Sequence, residues 1–299
     1  MKKALILALA IITMAMTSLI SVGAAETIPA PIAAYNFSDP DNIGKDFTGN
    51  GNDLTAWFWE DGAVVAEDGK VKLDGKSVLQ ALPDANGKDF TDSLTSFTFT
   101  IKASVQALPN GQVVLLGTGF DWDAYKGGMS LLVDNDWCAI DIYSNQNWRS
   151  ANFTDLLGAG WNANEHRYTI AYDDTAKTIK LWVDDKLAYT GDNVSGVNMN
   201  CGNTIFAIGC LNEYIKDEKN WCGYTGAMTA DDVAVFDYAL NDEQVKQLDT
   251  VFAEKAPDVP SDDPEQPENP ETADVLSIGV MTAAVALVCA TVVVSKKRK

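Results

Sequence analysis

The chain of 299 residues contains a single histidine, His166, and only 22 lysine and arginine residues against 42 aspartate and glutamate residues. One imidazole is too few for histidine-rich zinc sites and disfavours most catalytic triads, which depend on a correctly placed histidine. The formal net charge of −20 repels phosphate backbones, so nucleic acid is not an expected partner. Carboxylates, amides and aromatic side chains remain as the groups that can carry a function.

Cysteine is also scarce, and the Cys-x-x-Cys spacing typical of zinc sites is missing. Four cysteines precede the last apolar segment: Cys138, Cys201, Cys210 and Cys222. The fifth, Cys289, lies within that segment. A disulfide between Cys210 and Cys222, which would close a short loop, and free buried thiols are both open interpretations.

Residues 1–25 are predicted to be a signal peptide. Two lysines are followed by an apolar run over residues 4–20 and by small residues up to Ala25. The run is short for a membrane-spanning helix, and small residues before the first acid are typical of a cleavage site. We therefore expect the protein to be exported and cleaved near Ala25.

The other end of the chain has the pattern of a stalk and a membrane anchor. Residues 254–274 carry five prolines and eight acidic residues without apolar periodicity, which predicts an extended stalk. Residues 275–294 are uncharged and long enough to cross a hydrocarbon core of about 30 Å as a helix. The basic residues of the 295–299 tail would keep that end in the cytoplasm.

A short motif joins the stalk to the apolar span. Its residues are Asn269, Pro270, Glu271, Thr272 and Ala273. Together with the apolar span and the basic tail, the motif resembles the LPxTG-type cell-wall sorting signal of Gram-positive surface proteins, with Asn for Leu and Ala for Gly. The resemblance implies that a sortase cleaves after Thr272 and links the protein to the cell wall. A type I membrane protein that keeps its span, or one with a di-lysine retrieval signal, is the alternative.

The body of the chain, residues 26–253, has the pattern of an all-β domain. Segments that alternate or run apolar over strand length lie at 95–103, 111–117, 129–133, 139–143, 166–172 and 178–183. Turns rich in Gly, Asn and Asp separate them. This spacing predicts one antiparallel β-sandwich or jelly roll.

One short C-terminal helix is predicted to close this domain. Asn241 is a helix N-cap with Gln244 three residues later. One helical face then carries Val245, Leu248, Val251 and Phe252, and we expect it to pack on the sandwich.

Segments spread over residues 31–252 share their order and spacing with one family. They are 46–53, 69–75, 96–102, Trp161, 166–173, 177–185, 207–209 and 226–240. With these segments the body resembles the laminin G-like, concanavalin A-like (lectin/glucanase) jelly roll of bacterial surface proteins. The resemblance implies a lectin-like fold and a binding function.

A structural calcium ion is the first predicted ligand. Calcium needs six to eight oxygen ligands, and one loop offers Asp46, Asn50, Asn52 and Asp53. The resemblance adds an aspartate from the last strands, here Asp231 or Asp232. A turn whose Asn and Gly residues only serve the backbone is the alternative.

Carbohydrate is the second predicted ligand, because aromatic rings stack on sugar C–H surfaces while planar polar groups bind hydroxyls. The candidate residues lie in three predicted loops: Trp122, Asp123 and Tyr125; Asn147, Trp148 and Arg149; Asn212 and Trp221. Tryptophans that plug the ends of the sandwich are the alternative for any of these positions. Strand patterns instead place Trp137, Trp161 and Trp182 in the core, and alternation places Trp57 and Trp59 on one face.

An enzyme is not expected. The laminarinase-like members of the fold carry Glu-x-Asp-x-x-Glu on one strand, and that string is absent from the sequence. The acid pairs Asp121/Asp123 and Asp134/Asp136 are typical of solvated turns.

The sequence thus predicts a secreted binding module, anchored at the surface of a Gram-positive bacterium in its cell wall or membrane. It would recognise carbohydrate or a host-surface ligand, meet a sortase during export, and touch the membrane only through its C-terminal segment. A glycoside hydrolase or lyase, a protein-binding adhesin and a structural surface module remain the alternatives.

Overall fold

A computed structural model describes the greater part of the predicted body. The described residues are 27–106, 111–120, 127–134, 137–142, 144, 148–152, 156–158, 161, 164–200, 205–213, 221–223 and 225–253. The predicted signal peptide, stalk, sorting motif, apolar span and basic tail lie outside them. Within these ranges, no helix combines the length and apolar character needed to cross a membrane.

Strands make up most of the regular structure. In chain order they are β1 (Ala33–Tyr35), β2 (Leu54–Phe58), β3 (Val64–Glu67), β4 (Lys70–Asp74), β5 (Ser77–Ala81), β6 (Phe97–Val105), β7 (Gln112–Phe120), β8 (Gly128–Asp134), β9 (Trp137–Ile142), β10 (Trp148–Asn152), β11 (His166–Asp173), β12 (Thr178–Val183), β13 (Lys186–Gly191), β14 (Ala207–Ile208), β15 (Leu211–Glu213), β16 (Trp221–Gly223) and β17 (Ala227–Phe236). Each of the six strand segments predicted from the sequence coincides with one of them.

Two antiparallel sheets form the fold, which confirms the predicted β-sandwich. The eight-stranded sheet has the order β13-β12-β11-β6-β17-β4-β3, and β1 pairs with β17. The seven-stranded sheet has the order β10-β9-β8-β7-β14-β5-β2, and β15 pairs with β16 separately. Consecutive strands such as β7, β8 and β9 are neighbours, while β6 and β17 are far apart in the sequence and paired in the middle of their sheet.

The inner faces of the two sheets enclose one apolar core. Phe99 and Ile101 of the eight-stranded sheet and Leu79 and Leu131 of the seven-stranded sheet are fully buried in it. Trp161 joins this cluster and is 3% exposed, as the sequence predicts.

Two short helices cover the outer face of the eight-stranded sheet, where the sequence predicts one. They are α1 (Asp242–Val245) and α2 (Leu248–Ala253), and Asn241 caps the first with the predicted capping box. The N–H of Gln247 bonds to the carbonyl of Gln244, a tighter turn that interrupts the helix. Val245 and Leu248 are both buried against this face, with Trp182. The predicted apolar face and the core position of Trp182 are therefore confirmed.

His166 is the first residue of β11, and its side chain has a structural role. Its Nδ1 lies 3.0 Å from Oδ2 of Asp184, and its Nε2 lies 3.2 Å from the backbone oxygen of Trp161. Both ring nitrogens thus face acceptors within the fold, which ties the start of β11 to the turn after β12.

Candidate ligand-binding site

Two of the three predicted sugar-binding loops start from the same end of the seven-stranded sheet. Phe120, the last residue of β7, pairs with Gly128, and Met129 pairs with Ile142, the last residue of β9. The β7–β8 and β9–β10 connections therefore begin side by side, at what we call the loop end. Trp122, Asp123, Tyr125 and Asn147 belong to these connections and lie outside the described residues.

Trp148 begins β10 close to the loop end. Register pairs place it in one row across the sheet with Asp141, Ser130, Gly117, Ala207, Gln80 and Thr55. The neighbouring positions Leu79 and Leu116 belong to the core, so this row lies on the outer face of the sheet. Arg149 pairs with the core residue Ile140 and so occupies a position of the opposite face.

The third predicted loop is separated from the other two. Ala207 and Ile208 of β14 pair with Gly117 and Leu116, so the chain runs away from the loop end as it approaches β15. Asn212 and Trp221 follow in β15 and β16, which pair with each other. The fold therefore does not bring these two residues to the loop end.

An open cleft of about 740 Å³ lies at the same end of the seven-stranded sheet, at its β5–β2 edge. Its walls come from two segments, around the start of β2 and after β5, which the pairing of Leu54 with Ala81 holds together. Acidic and apolar side chains line it: Asp53, Asp84, Asp89, Asp92, Leu82 and Phe90. Leu82 is 65% exposed, and the ring of Phe90 packs on Phe206 with centroids 5.4 Å apart. No sequence pattern indicates this cleft, because its acids are spread over several turns that resemble ordinary solvated ones.

Two carboxylates in the cleft wall have raised pKa values. Burial raises the pKa of Asp89 and raises that of Asp92 to about 6, with a smaller contribution from the charge of Asp89. Asp89 accepts hydrogen bonds from the N–H and O–H of Thr91, at 2.7 and 2.6 Å, and from the N–H of Phe206. Asp92 accepts one from the N–H of Asp89 at 2.7 Å. Asp89 thus joins the segments around Thr91 and Phe206 in the cleft wall. Asp92 accepts only one of these hydrogen bonds and keeps oxygen atoms for other partners.

The predicted calcium loop is closed by its own hydrogen bonds. Asp46 is buried, and its carboxylate accepts from the N–H of Ala34 at 3.1 Å, the N–H and O–H of Thr48 at 3.0 and 2.7 Å, and the N–H of Asn52 at 3.1 Å. These four donors occupy the oxygen atoms that a calcium ion would need.

The other predicted calcium ligands have partners of their own. The side-chain amides of Asn50 and Asn52 donate to the backbone oxygen of Ile32 at 3.0 and 2.8 Å. Ion pairs hold the aspartates: Asp53 with Lys45, Asp231 with Lys70 and Lys102, and Asp232 with Arg167. In the part of the chain that the structure describes, no three Asp, Glu, His or Cys side chains are placed to hold a metal ion. The described geometry does not assemble the predicted set, and calcium stays a prediction.

Trp57 and Trp59 share a face at the far edge of the same sheet. Their ring centroids are 5.3 Å apart, and both pack on Val78 and Cys210 on its outer side. Phe58, between them in the sequence, is 53% exposed. The alternation predicted for these three residues is confirmed.

Comparison with known proteins identifies the fold. Neither the family models nor the curated proteins give a match to the sequence. Among solved structures, the receptor-binding domain of botulinum neurotoxin type G is similar with a TM-score of 0.51 and 10% identity, over 75% of this chain and 52% of that one. The binding domain of botulinum neurotoxin DC in complex with SialylT is similar with a TM-score of 0.50 and 13% identity, over 74% and 52%.

A third structure is domain 4 of AbnA, a GH43 extracellular arabinanase from Geobacillus stearothermophilus, in complex with arabinotriose. It aligns with a TM-score of 0.49 and 17% identity, over 73% of this chain and 98% of that one. This chain spans about half the length of the two neurotoxin domains. At these identities, the two neurotoxin domains show the β-sandwich fold.

Proposed function

We propose that residues 26–253 form a carbohydrate-binding module and that the ligand binds at the loop end. One observation carries the proposal: the strand register starts both the 121–126 and the 143–147 connections side by side, at the end of the seven-stranded sheet where the open cleft also lies between β5 and β2. Both connections were predicted to bind sugar from their aromatic and amide residues alone. Because β7, β8 and β9 are adjacent in the sheet, these two connections begin close to each other.

The chemistry of the loop end suits a sugar. The sequence supplies three aromatic residues for sugar C–H surfaces there, Trp122, Tyr125 and Trp148, and the exposed Leu82 adds apolar area in the cleft at the same end of the sheet. Asp92, whose carboxylate accepts one hydrogen bond from the N–H of Asp89, offers an oxygen atom for a hydroxyl group.

The two neurotoxin domains of the same fold are described as binding domains, one of them in complex with SialylT. Their likeness supports the scaffold on which we propose the site. The assignment of a glycan rests on the residues of this chain.

Removing the two tryptophans of the loop end should abolish most glycan binding. We expect the Trp122→Ala/Trp148→Ala variant to bind its best array glycan about 10- to 100-fold more weakly, since each lost ring removes stacking and apolar contact. Trp221→Ala is the matched control, because the register separates Trp221 from the loop end. Glycan-array binding followed by calorimetric titration measures the effect.

Equal binding by the double variant and the wild type would remove the loop end from the proposal. Release of reducing sugar from the bound glycan would instead favour a glycoside hydrolase. One observation favours that second candidate, namely the Asp92 carboxyl with a pKa of about 6 in the cleft. We propose binding rather than hydrolysis because the neighbouring Asp89 carboxylate is committed to three hydrogen bonds within the wall.

We further propose that the module is exported and anchored at the cell surface through the 269–273 motif. Thr272→Ala should shift the protein from the wall fraction to the membrane or medium, because a sortase cleaves after this threonine in the signals that the motif resembles. Immunoblots of muramidase-released, membrane and medium fractions measure the distribution, with Thr250→Ala as the control. Unchanged wall linkage of the Thr272 variant would contradict the sorting proposal and favour a retained membrane span.

A further inference from the structure

A pair of tryptophans forms a half-buried surface on the outer face of the seven-stranded sheet. The indole rings of Trp57 and Trp59 lie 5.3 Å apart and tilt by 38°. Val78, Ala207 and Cys210 support them from the sheet side. The rings are packed from one side and remain partly open to solvent on the other. Because this packing already fixes both rings in the free protein, little side-chain entropy remains to be lost on binding.

Charged side chains border these rings. The backbone N–H of Trp59 bonds to the carbonyl of Lys76, and the Lys76 ammonium lies 2.6 Å from Asp61 and 3.1 Å from Glu60. Glu60 and Asp61 are exposed and Lys76 is partly exposed, so all three keep hydrogen-bonding capacity toward solvent. An aromatic surface beside exposed donors and acceptors matches a sugar ring, which has C–H faces and a rim of hydroxyls.

The position of the pair on the sheet extends the proposed site. Thr55 of β2 lies in the row that ends at Trp148 of β10, and Trp57 follows two residues later on the same outer face. The two edge strands are six strand spacings apart in the sheet order, or about 29 Å at ~4.8 Å per spacing. A monosaccharide cannot reach both, whereas a linear chain of several sugars can.

We propose that Trp57 and Trp59 form a second sugar-stacking surface, the tryptophan platform, and that the ligand is a neutral polysaccharide that also occupies the loop end. The proposal rests on the carbohydrate-binding function proposed above. A neutral chain fits because the protein carries a net charge of −20, which repels uronic and sialic acids. Two sites on one polymer bind with a raised effective concentration, so affinity increases with chain length.

Chain-length dependence tests the platform. The probes are soluble xylan, arabinan, mannan and laminarin, each with its trisaccharide, titrated into the wild type and into Trp57→Leu/Trp59→Leu. We expect the wild type to bind its best polysaccharide at least tenfold more tightly than the trisaccharide. The leucine variant should lose that advantage and keep the trisaccharide affinity. Leucine preserves apolar contact with Val78, and Phe58→Ser, on the other face of β2, is the matched control.

The outcomes separate this proposal from the previous one. If the leucine variant keeps the tenfold preference while its thermal unfolding is cooperative, the platform is wrong and the loop end stands. If the leucine variant loses polysaccharide binding and Trp122→Ala/Trp148→Ala keeps it, the platform proposal is supported and the loop-end proposal is wrong. Absence of binding to all four polysaccharides by the wild type overturns the platform. Should the leucine variant not fold, Trp59→Phe replaces it in the same comparison. We then expect an affinity for the polysaccharide about threefold lower and an unchanged affinity for the trisaccharide.

Discussion

Replacing Arg167 by alanine should lower the free energy of unfolding by about 3–5 kcal/mol, the range for breaking a buried ion pair. Arg167 lies on β11 under helix α2, where its guanidinium pairs with Asp232 at 3.1 Å and Asp249 at 2.7 Å. It also lies over the ring of Phe252, 5.4 Å from the centroid. Without Arg167, the half-buried Asp232 carboxylate keeps its desolvation, which already raises its pKa, and faces the like charge of Asp231. Urea unfolding measures the loss.

Two further variants test whether the buried ion-pair network causes the loss of stability in Arg167→Ala. Lys246→Ala breaks the exposed pair with Glu243 and should change stability little, because exposed ion pairs contribute little. Arg167→Met/Asp232→Leu should recover most of the loss, since apolar residues need no compensating charge. Nη1 of Arg167, which is buried without a hydrogen-bond partner, adds to that recovery. If Arg167→Ala and Lys246→Ala destabilise equally, the network does not hold α2 on the sheet.

Replacing Asp46 by alanine should be as damaging, with a loss of roughly 3–5 kcal/mol, because one buried and several partly buried donors lose their acceptor at up to ~1–3 kcal/mol each. Its carboxylate joins the N–H of Ala34 in β1 to the N–H groups of Thr48 and Asn52 in the loop before β2. One side chain therefore fixes the loop to the edge of the sandwich. Thermal and urea unfolding measure the loss, and Asp39→Ala is the matched control, since Asp39 makes similar bonds at an exposed turn.

The same variants test the calcium prediction. If hydrogen bonds alone hold the loop, Asp46→Ala should lose equal stability in calcium and in chelator. An ion bound only to the folded state raises stability by mass action. A wild-type melting temperature that falls on adding chelator, while that of Asp46→Ala does not, would therefore support calcium and contradict an exclusively hydrogen-bonded loop.

Local patterns in the sequence were sufficient for the strands. Alternation over 95–103 predicted β6, and the runs at 111–117 and 129–133 predicted β7 and β8, because side chains on one face of a strand recur every second residue. The cap at Asn241 was predicted for the same local reason, since its side chain bonds to N–H groups only two and three residues away. The break between α1 and α2 was not predicted, because it depends on how both segments pack on the sheet.

The candidate sites depended on the fold. Asp46 and Asp231 carry the same side chain, and the sequence assigned both to calcium. Tertiary contacts instead surround Asp46 with N–H donors and place Asp231 between Lys70 and Lys102, neither of them a sequence neighbour. The raised pKa of Asp92 likewise comes mainly from burial, which no local sequence pattern shows.

By itself, the sequence determined the all-β class, the strand positions and the acidic character of the body, because periodicity and charge are properties of neighbouring residues. Only the tertiary structure decided which loops share an end of the sandwich, which aspartates face donors and where the paired tryptophans lie. Strand order and register set those relations. They arise from pairings such as β6 with β17 and β7 with β14, which join residues about 90 to 140 positions apart and leave no local signature.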